Sequence, residues 1–240
     1  GIAIQSYCIQ SYFYFYFLVE VIFMFESKNK YYGRKKGKSF IRLEHLQNRL
    51  KLPTKSIFDK MHSPRVLEIG IGDGEKISED AKVQNNINFI GCDIFADGVL
   101  RAIRNSLDNN LKNLLVFHLN IQDILPFVPD NYFQGIRVYF PDPWPKARHK
   151  KRRTFNFELV ETLTNKLEKN GFIHFATDNS DYFLKALILM KQFNYQLTNI
   201  TPDSWKYNEF NALNTKFEKK ALDKNHKLFY FSVRKIINQQ

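Results

Sequence analysis

The chain has 240 residues, 44% hydrophobic and 15% aromatic, and its 36 Lys and Arg against 24 Asp and Glu give a formal charge of +12. That composition excludes a disordered chain, and the length predicts one sizeable domain with extensions rather than two complete units. Two cysteines, Cys8 and Cys92, exclude a disulfide scaffold and point to a reducing compartment, so a cytoplasmic location is expected.

Residues 1–25 form an apolar extension. Tyr12 to Phe25 is a 14-residue apolar and aromatic stretch broken by Glu20, shorter than the ~20 residues of a membrane helix. No Lys or Arg precedes Lys28, so the basic start of a secretory signal is missing. An amino-terminal anchor with Lys28 onward on the cytoplasmic side would have to take in Gln5, Ser6, Gln10 and Ser11. A membrane is therefore not an expected partner. Met24 stands just before the polar segment Glu26 to Lys30, and it is the expected natural start, with residues 1–23 as upstream translated sequence. Residues 26–64 follow as a basic arm with an accessory helix over Leu43 to Leu52.

From Arg65 the chain alternates short apolar runs with amphipathic ones, which predicts an α/β domain over 65–240 with helices on both faces of a mostly parallel sheet. The predicted strands are Arg65 to Ile69, Asn88 to Cys92, Leu114 to Leu119, Gln134 to Phe140 and Gly171 to Ala176. Three helical faces lie between or after them: Val99, Leu100, Ile103 and Leu107; Phe157, Val160, Leu163 and Leu167; Phe183, Leu184, Leu187 and Ile188. Gly171, after Lys166 and Lys169, suits a helix end. Tyr195 to Ile200 and Phe229 to Arg234 are further strands, the second alternating like an antiparallel edge strand. Thr201 to Lys227 is expected as a loop, or a short helix with a loop.

The first strand runs into a glycine-rich turn, VLEIGIGDGE from Val66 to Glu75. Counting from Gly70, the dinucleotide fingerprint would need a third glycine where Glu75 stands. Glu68, Gly70, Gly72 and Gly74 suit instead a cofactor with an amino acid moiety and no pyrophosphate, namely S-adenosylmethionine. Its ammonium calls for a carboxylate, and Asp93, after the second strand, is placed for its ribose hydroxyls. A tight structural turn is the alternative.

The fourth strand runs into PDPWPKARHKKRR, Pro141 to Arg153. Three prolines stiffen the segment and exclude helix. Asp142 and Trp144 should therefore be held rigidly at the crevice beyond the strand ends.

The charge excess is local. Lys28 to Lys38 and Lys146 to Arg153 each hold six basic residues and no acid, and removing these twelve leaves 24 basic against 24 acidic. Acid-free basic runs are the footprint of a polyanion, though either alone is compatible with a solvated loop. The histidines, His118 and His226 included, have no ligand spacing, and no metal is expected.

The combination of LEIGIGDGE, FPDPWPKARHKKRR, ATD (Ala176 to Asp178) and TKFE (Thr215 to Glu218) resembles the tRNA (guanine-N7-)-methyltransferases, S-adenosylmethionine-dependent enzymes that modify guanine 46 in the tRNA variable loop. The resemblance covers roughly Tyr32 to Lys235, and its proline-tryptophan block is the most specific part. It implies a Rossmann-like methyltransferase fold, with cofactor contacts at Glu68, Gly70, Gly72, Asp93, Asn120 and Asp142. Asp142 is also the implied catalytic residue. It implies substrate contacts at Lys146, Asp178, Thr215, Lys216, Phe217 and Glu218, and RNA contacts at Arg148, His149, Lys150, Lys151, Arg152 and Arg153. GRKKGK, Gly33 to Lys38, resembles the family's basic arm. Asn120 departs from the family's usual Asp; its carbonyl can accept where a carboxylate would, and Asp123 is a candidate substitute.

Guanine N7 has a lone pair and no proton, so its methylation needs no general base, which makes Asp142 a positioning and electrostatic group. Asp142 and Asp178 are the expected partners of guanine N1 and N2 or of the charge that develops on the ring. The expected partner is tRNA, bound by a monomer or homodimer. Two alternatives stand beside this reading: a methyltransferase with a non-RNA acceptor, and a catalytically silent RNA-binding scaffold, for which Asn120 is the sequence support.

Overall fold

The computed structural model describes residues 51–193, 195–199 and 215–236. The stretch Tyr12 to Phe25, the Met24 start, the GRKKGK arm and most of the helix expected over Leu43 to Leu52 lie outside the described residues. Lys51 and Leu52, which are described, are not helical. Of the segment Thr201 to Lys227, the described part carries a helix at Lys216–Asp223.

Seven strands form one sheet: β1 Arg65–Ile69, β2 Asn88–Cys92, β3 Leu114–Phe117, β4 Phe133–Tyr139, β5 Leu167–Thr177, β6 Tyr195–Asn199 and β7 Phe229–Lys235. The helices are α1 Lys55–Asp59, α2 Glu75–Val83, α3 Ala96–Asp108, α4 Ile121–Ile124, α5 Phe157–Lys166, α6 Ser180–Lys191 and α7 Lys216–Asp223. Strand order is β3-β2-β1-β4-β5-β7-β6. β1 to β5 pair in parallel, whereas β7 is antiparallel to both β5 and β6. The antiparallel strand thus sits one place in from the edge, and β6 covers its outer side. Among the described residues no helix is long and apolar enough to cross a membrane.

β1 has the composition of a strand covered on both faces. Leu67 and Ile69 point into a core with Phe58, Phe117, Ile136, Val160, Phe175 and Tyr182, while Val66 points into a second core with Ile77, Phe89, Val99 and Ile103. The first core is roofed by α1, α4, α5 and α6, and the second by α2 and α3. Each fully buried Leu, Ile or Phe in them contributes about 1.5–3 kcal/mol.

Several details differ from expectation. Leu107, Phe157, Leu184 and Ile188 are exposed. On α6 the buried face is Tyr182, Phe183, Ala186 and Met190, so of the expected face only Phe183 lies on it. Gly171 does not end a helix: α5 passes directly into β5 at Leu167, and Asn170 takes the left-handed backbone at φ 61°. A Cβ on Gly171 would stand 2.7 Å from Leu167 Cγ, so close approach, not capping, explains this glycine.

Candidate active site

Two carbonyl-anchored turns and one helix start surround the carboxyl ends of β1, β4 and β5. The first is the glycine turn. Gly70, Gly72 and Gly74 take φ of 80°, 60° and 73°, a region that side chains resist. Gly70 and Ile71 donate their N–H groups to the Cys92 carbonyl, and Gly72 N–H donates to Asp93 Oδ2 at 2.8 Å. α3 locks the turn from outside: a Cβ on Gly98 would stand 1.5 Å from the Gly72 carbonyl oxygen, and one on Gly74 would stand 2.5 Å from Ala102 Cβ. Gly98 escaped the sequence reading, although a glycine inside an amphipathic helix was its signal.

Asp93 uses its other oxygen to accept from Phe95 N–H at 2.8 Å. Burial raises its carboxyl, and the backbone bonds and nearby Asp142 act in opposite directions on it. Each oxygen keeps a lone pair for a ribose hydroxyl.

Glu68, two residues before Gly70, is 3% exposed. It lies in a buried ionic cluster: Arg137 Nη1 is 2.6 Å from Asp80 Oδ2 and 3.6 Å from Glu68 Oε2, and Lys76 pairs with Asp80. Desolvation pushes the Glu68 carboxyl up to about 7 against the pull of Arg137. Its Oε2 is buried without a hydrogen-bond partner among the described residues, and a Cβ on Gly70 would meet nothing within 4 Å. A carboxylate oxygen whose cation, Arg137, stands off at 3.6 Å and an open glycine edge fit an ammonium-bearing cofactor. Asn120 follows β3 and caps α4, its Oδ1 accepting from Gln122 N–H at 3.2 Å. Its carbonyl oxygen thus already serves the helix, and Asp123 lies in the first turn of α4.

The second turn is Pro141 to Pro145. Phe140 and Trp144 are held at φ 49° and 41°, strained for side-chain-bearing residues, and Phe140 N–H is tied to the Ala176 carbonyl at the end of β5. Asp142 stands between them with its side chain exposed, and partial desolvation moves its carboxyl up from the ordinary value.

The third wall joins β5 to α7. Asp178 is exposed after β5, and His226 Nδ1 stands 3.3 Å from its Oδ2. Histidine spacing in sequence gave no sign of this pair, because the partner is a carboxylate 48 residues away. Thr215 caps α7 by accepting from Glu218 N–H at 3.1 Å, and Glu218 Oε1 accepts from Tyr230 O–H at 2.8 Å. Both side chains are nearly buried. Lys216 leans to the glycine turn, its Nζ 3.3 Å from Asp73 Oδ2. Phe217 is placed on the backbone of α7.

The basic run divides. Lys146, Arg148 and Lys151 are exposed. Lys150 pairs with Asp181, and Arg152 lies 5.0 Å over the Trp144 ring. His149 packs edge-on to Trp144, and desolvation with Arg152 and Lys146 keeps its ring below the ordinary imidazole range. Arg153, expected among the RNA contacts, is 5% exposed, with its Nε bonded to the Pro143 carbonyl and its Nη2 to Asp181.

Among the described residues no group of His, Cys, Asp and Glu could hold a metal ion.

The Methyltransf_4 family model, described as "Putative methyltransferase", matches residues 62–231. A bifunctional methyltransferase of Rickettsia prowazekii is 36% identical over 201 residues, covering 82% of this chain but only 39% of that protein. A tRNA (guanine-N(7)-)-methyltransferase of Zymomonas mobilis is 34% identical over 174 residues, covering 72% of this chain and 75% of that protein. Among solved structures, the antibiotic-resistance methyltransferase Kmr superposes with a TM-score of 0.54 at 11% identity, covering 79% of this chain and 96% of that one, a likeness of fold. By its family-model match and by relatives such as that of Zymomonas mobilis, the chain belongs to the tRNA (guanine-N7-)-methyltransferase family.

Proposed function

We propose that this chain transfers the methyl group of S-adenosylmethionine to N7 of guanine 46 in the variable loop of tRNA, in the cytoplasm. The observation that supports it best is the junction of cofactor and acceptor segments. Lys216, in the TKFE segment, pairs with Asp73 of the glycine turn, and Asp142 adds to the rise that burial gives the Asp93 carboxyl.

The cofactor supplies an electrophilic methyl on a sulfonium. Asp93 holds the glycine turn through Gly72 and has capacity left for the ribose, while Glu68 has an oxygen to offer an ammonium. Asp142, on a loop fixed by its prolines and by Phe140, is held beside the incoming purine. No side chain removes a proton, because N7 has none. Asp178, oriented by His226, and Asp142 accept from guanine N1–H and N2–H, a donor pattern that adenine lacks. Lys146, Arg148 and Lys151 hold phosphates and set register, while the pocket reads the base. The guanine leaves its stack to enter.

The test is incubation with labelled S-adenosylmethionine and two tRNA transcripts, one with guanine at position 46 and one with adenine there, followed by nucleoside analysis. 7-Methylguanosine is expected only in the first. Equal labelling of both would refute the position, and label in neither would refute tRNA as acceptor.

A further inference from the structure

Resting on that reading, we propose that Arg153 is a positioning residue, anchored by Asp181, that sets the Asp142–Trp144 loop and does not bind RNA. Arg153 spans two elements. Its Nε donates to the Pro143 carbonyl at 2.8 Å, and Nη2 donates to Asp181 Oδ2 at 2.8 Å. Its guanidinium lies 4.5 Å over the ring of Tyr182, whose hydroxyl accepts from Phe155 N–H at 2.9 Å. The remaining nitrogen, Nη1, is also buried. Pro143 follows Asp142 and precedes Trp144, so this one side chain ties the middle of the loop to the first turn of α6.

The fork geometry matters: only a guanidinium can reach a carbonyl, a carboxylate and an aromatic face at once. Asp181 receives Lys150 as well, and the bonds from Lys150 and Arg153 hold its carboxyl below the usual range. The anchor therefore stays charged into acid conditions. Asp142 is displaced if the tie is cut, and a shift near 1 Å is enough to cost on the order of 100-fold in rate.

The test uses Arg153→Ala, Arg153→Lys and Asp181→Asn. The measurements are kcat at saturating tRNA, tRNA affinity as a function of salt, and Trp144 emission in a Trp205→Phe background. Arg153→Ala should lower kcat on the order of 10- to 100-fold and shift the Trp144 emission. The salt dependence of tRNA binding should match that of the parent protein. Arg153→Lys should fall between Arg153→Ala and the parent, and Asp181→Asn, whose side chain is partly exposed, should retain the fold and move in the same direction. A salt slope reduced by about one phosphate's worth, with kcat and emission unchanged, would make Arg153 an RNA contact and overturn the proposal. So would a loss of thermal stability alone. If the parent protein makes no 7-methylguanosine, the functional reading fails by itself, and Trp144 emission still decides: no shift in either Arg153→Ala or Asp181→Asn overturns the tie.

Discussion

The two halves of the site are built by different means. The half beside β1 and β2 is made of backbone: three left-handed glycines, N–H groups seated on the Cys92 carbonyl and Asp93, and an α3 glycine so close that no Cβ fits. The half beside β4, β5 and α7 is made of side chains that pair with one another, as in Asp178 with His226 and Lys150 with Asp181, while Lys216 reaches across to Asp73 of the glycine turn. Exposed pairs of this kind are worth only about 0–1 kcal/mol, so an incoming polyanion can exchange them at small cost. A turn fixed by its backbone thus faces a surface of exchangeable ion pairs.

That contrast predicts effects that shrink from the buried cluster outward. Arg137→Met leaves Glu68 buried without its cation and Asp80 with Lys76 alone, and denaturant unfolding should show a loss of about 3–5 kcal/mol. Gly98→Ala forces the Gly72 carbonyl to move. Its cost is about 1–3 kcal/mol, and calorimetric titration should register it mainly as weaker cofactor binding, with tRNA affinity retained. A uniform loss of both would erase the distinction between the halves.

Glu68 gives the pH test. Its carboxyl is pushed up to about 7, and the ammonium needs it ionised, so cofactor affinity should rise from acid pH through about 7. Glu68→Gln should bind more weakly and lose that rise. In the free protein the sign is opposite. The folded state holds this proton above the ordinary 4.5, so the stability it contributes is present below 4.5 and is lost as pH rises through about 7. Unfolding of Glu68→Gln across that window should be flatter. The smallest effect is on the exposed side: Lys151→Ala should reduce the salt slope of tRNA binding by about 0.7–0.9, the share of one phosphate. An unchanged slope would remove Lys151 from the interface.

Much of the glycine-turn half was legible in the sequence because its signals are local. A strand, a glycine turn and an acid after the next strand place Glu68, Gly70, Gly72 and Asp93 by chain order alone, and the first two strands begin and end where their apolar runs do. Gly98 was not legible in the same way, since its reason is the Gly72 carbonyl 26 positions earlier. The half beside β4, β5 and α7 was legible as a set of motifs but not as a set of pairings. Six charges in a row look alike until the fold supplies Asp181, Trp144 and Tyr182 as partners for three of them. Likewise Thr215 and Glu218 first serve to cap α7 and hold Tyr230, and only the folded chain shows His226 beside Asp178. Long-range pairing, not residue type, carries that information.

The central claim is that Asp142 belongs to a methyl-transfer site for tRNA guanine. Its most direct test is single-turnover transfer from labelled S-adenosylmethionine to unmodified tRNA by the parent protein and by Asp142→Ala, with nucleoside analysis of the product. The account predicts 7-methylguanosine from the parent protein and a rate on the order of 10²–10³ lower for the variant, with cofactor still bound. Equal rates would contradict the role of Asp142, and a methylated nucleoside other than 7-methylguanosine would contradict the reaction itself.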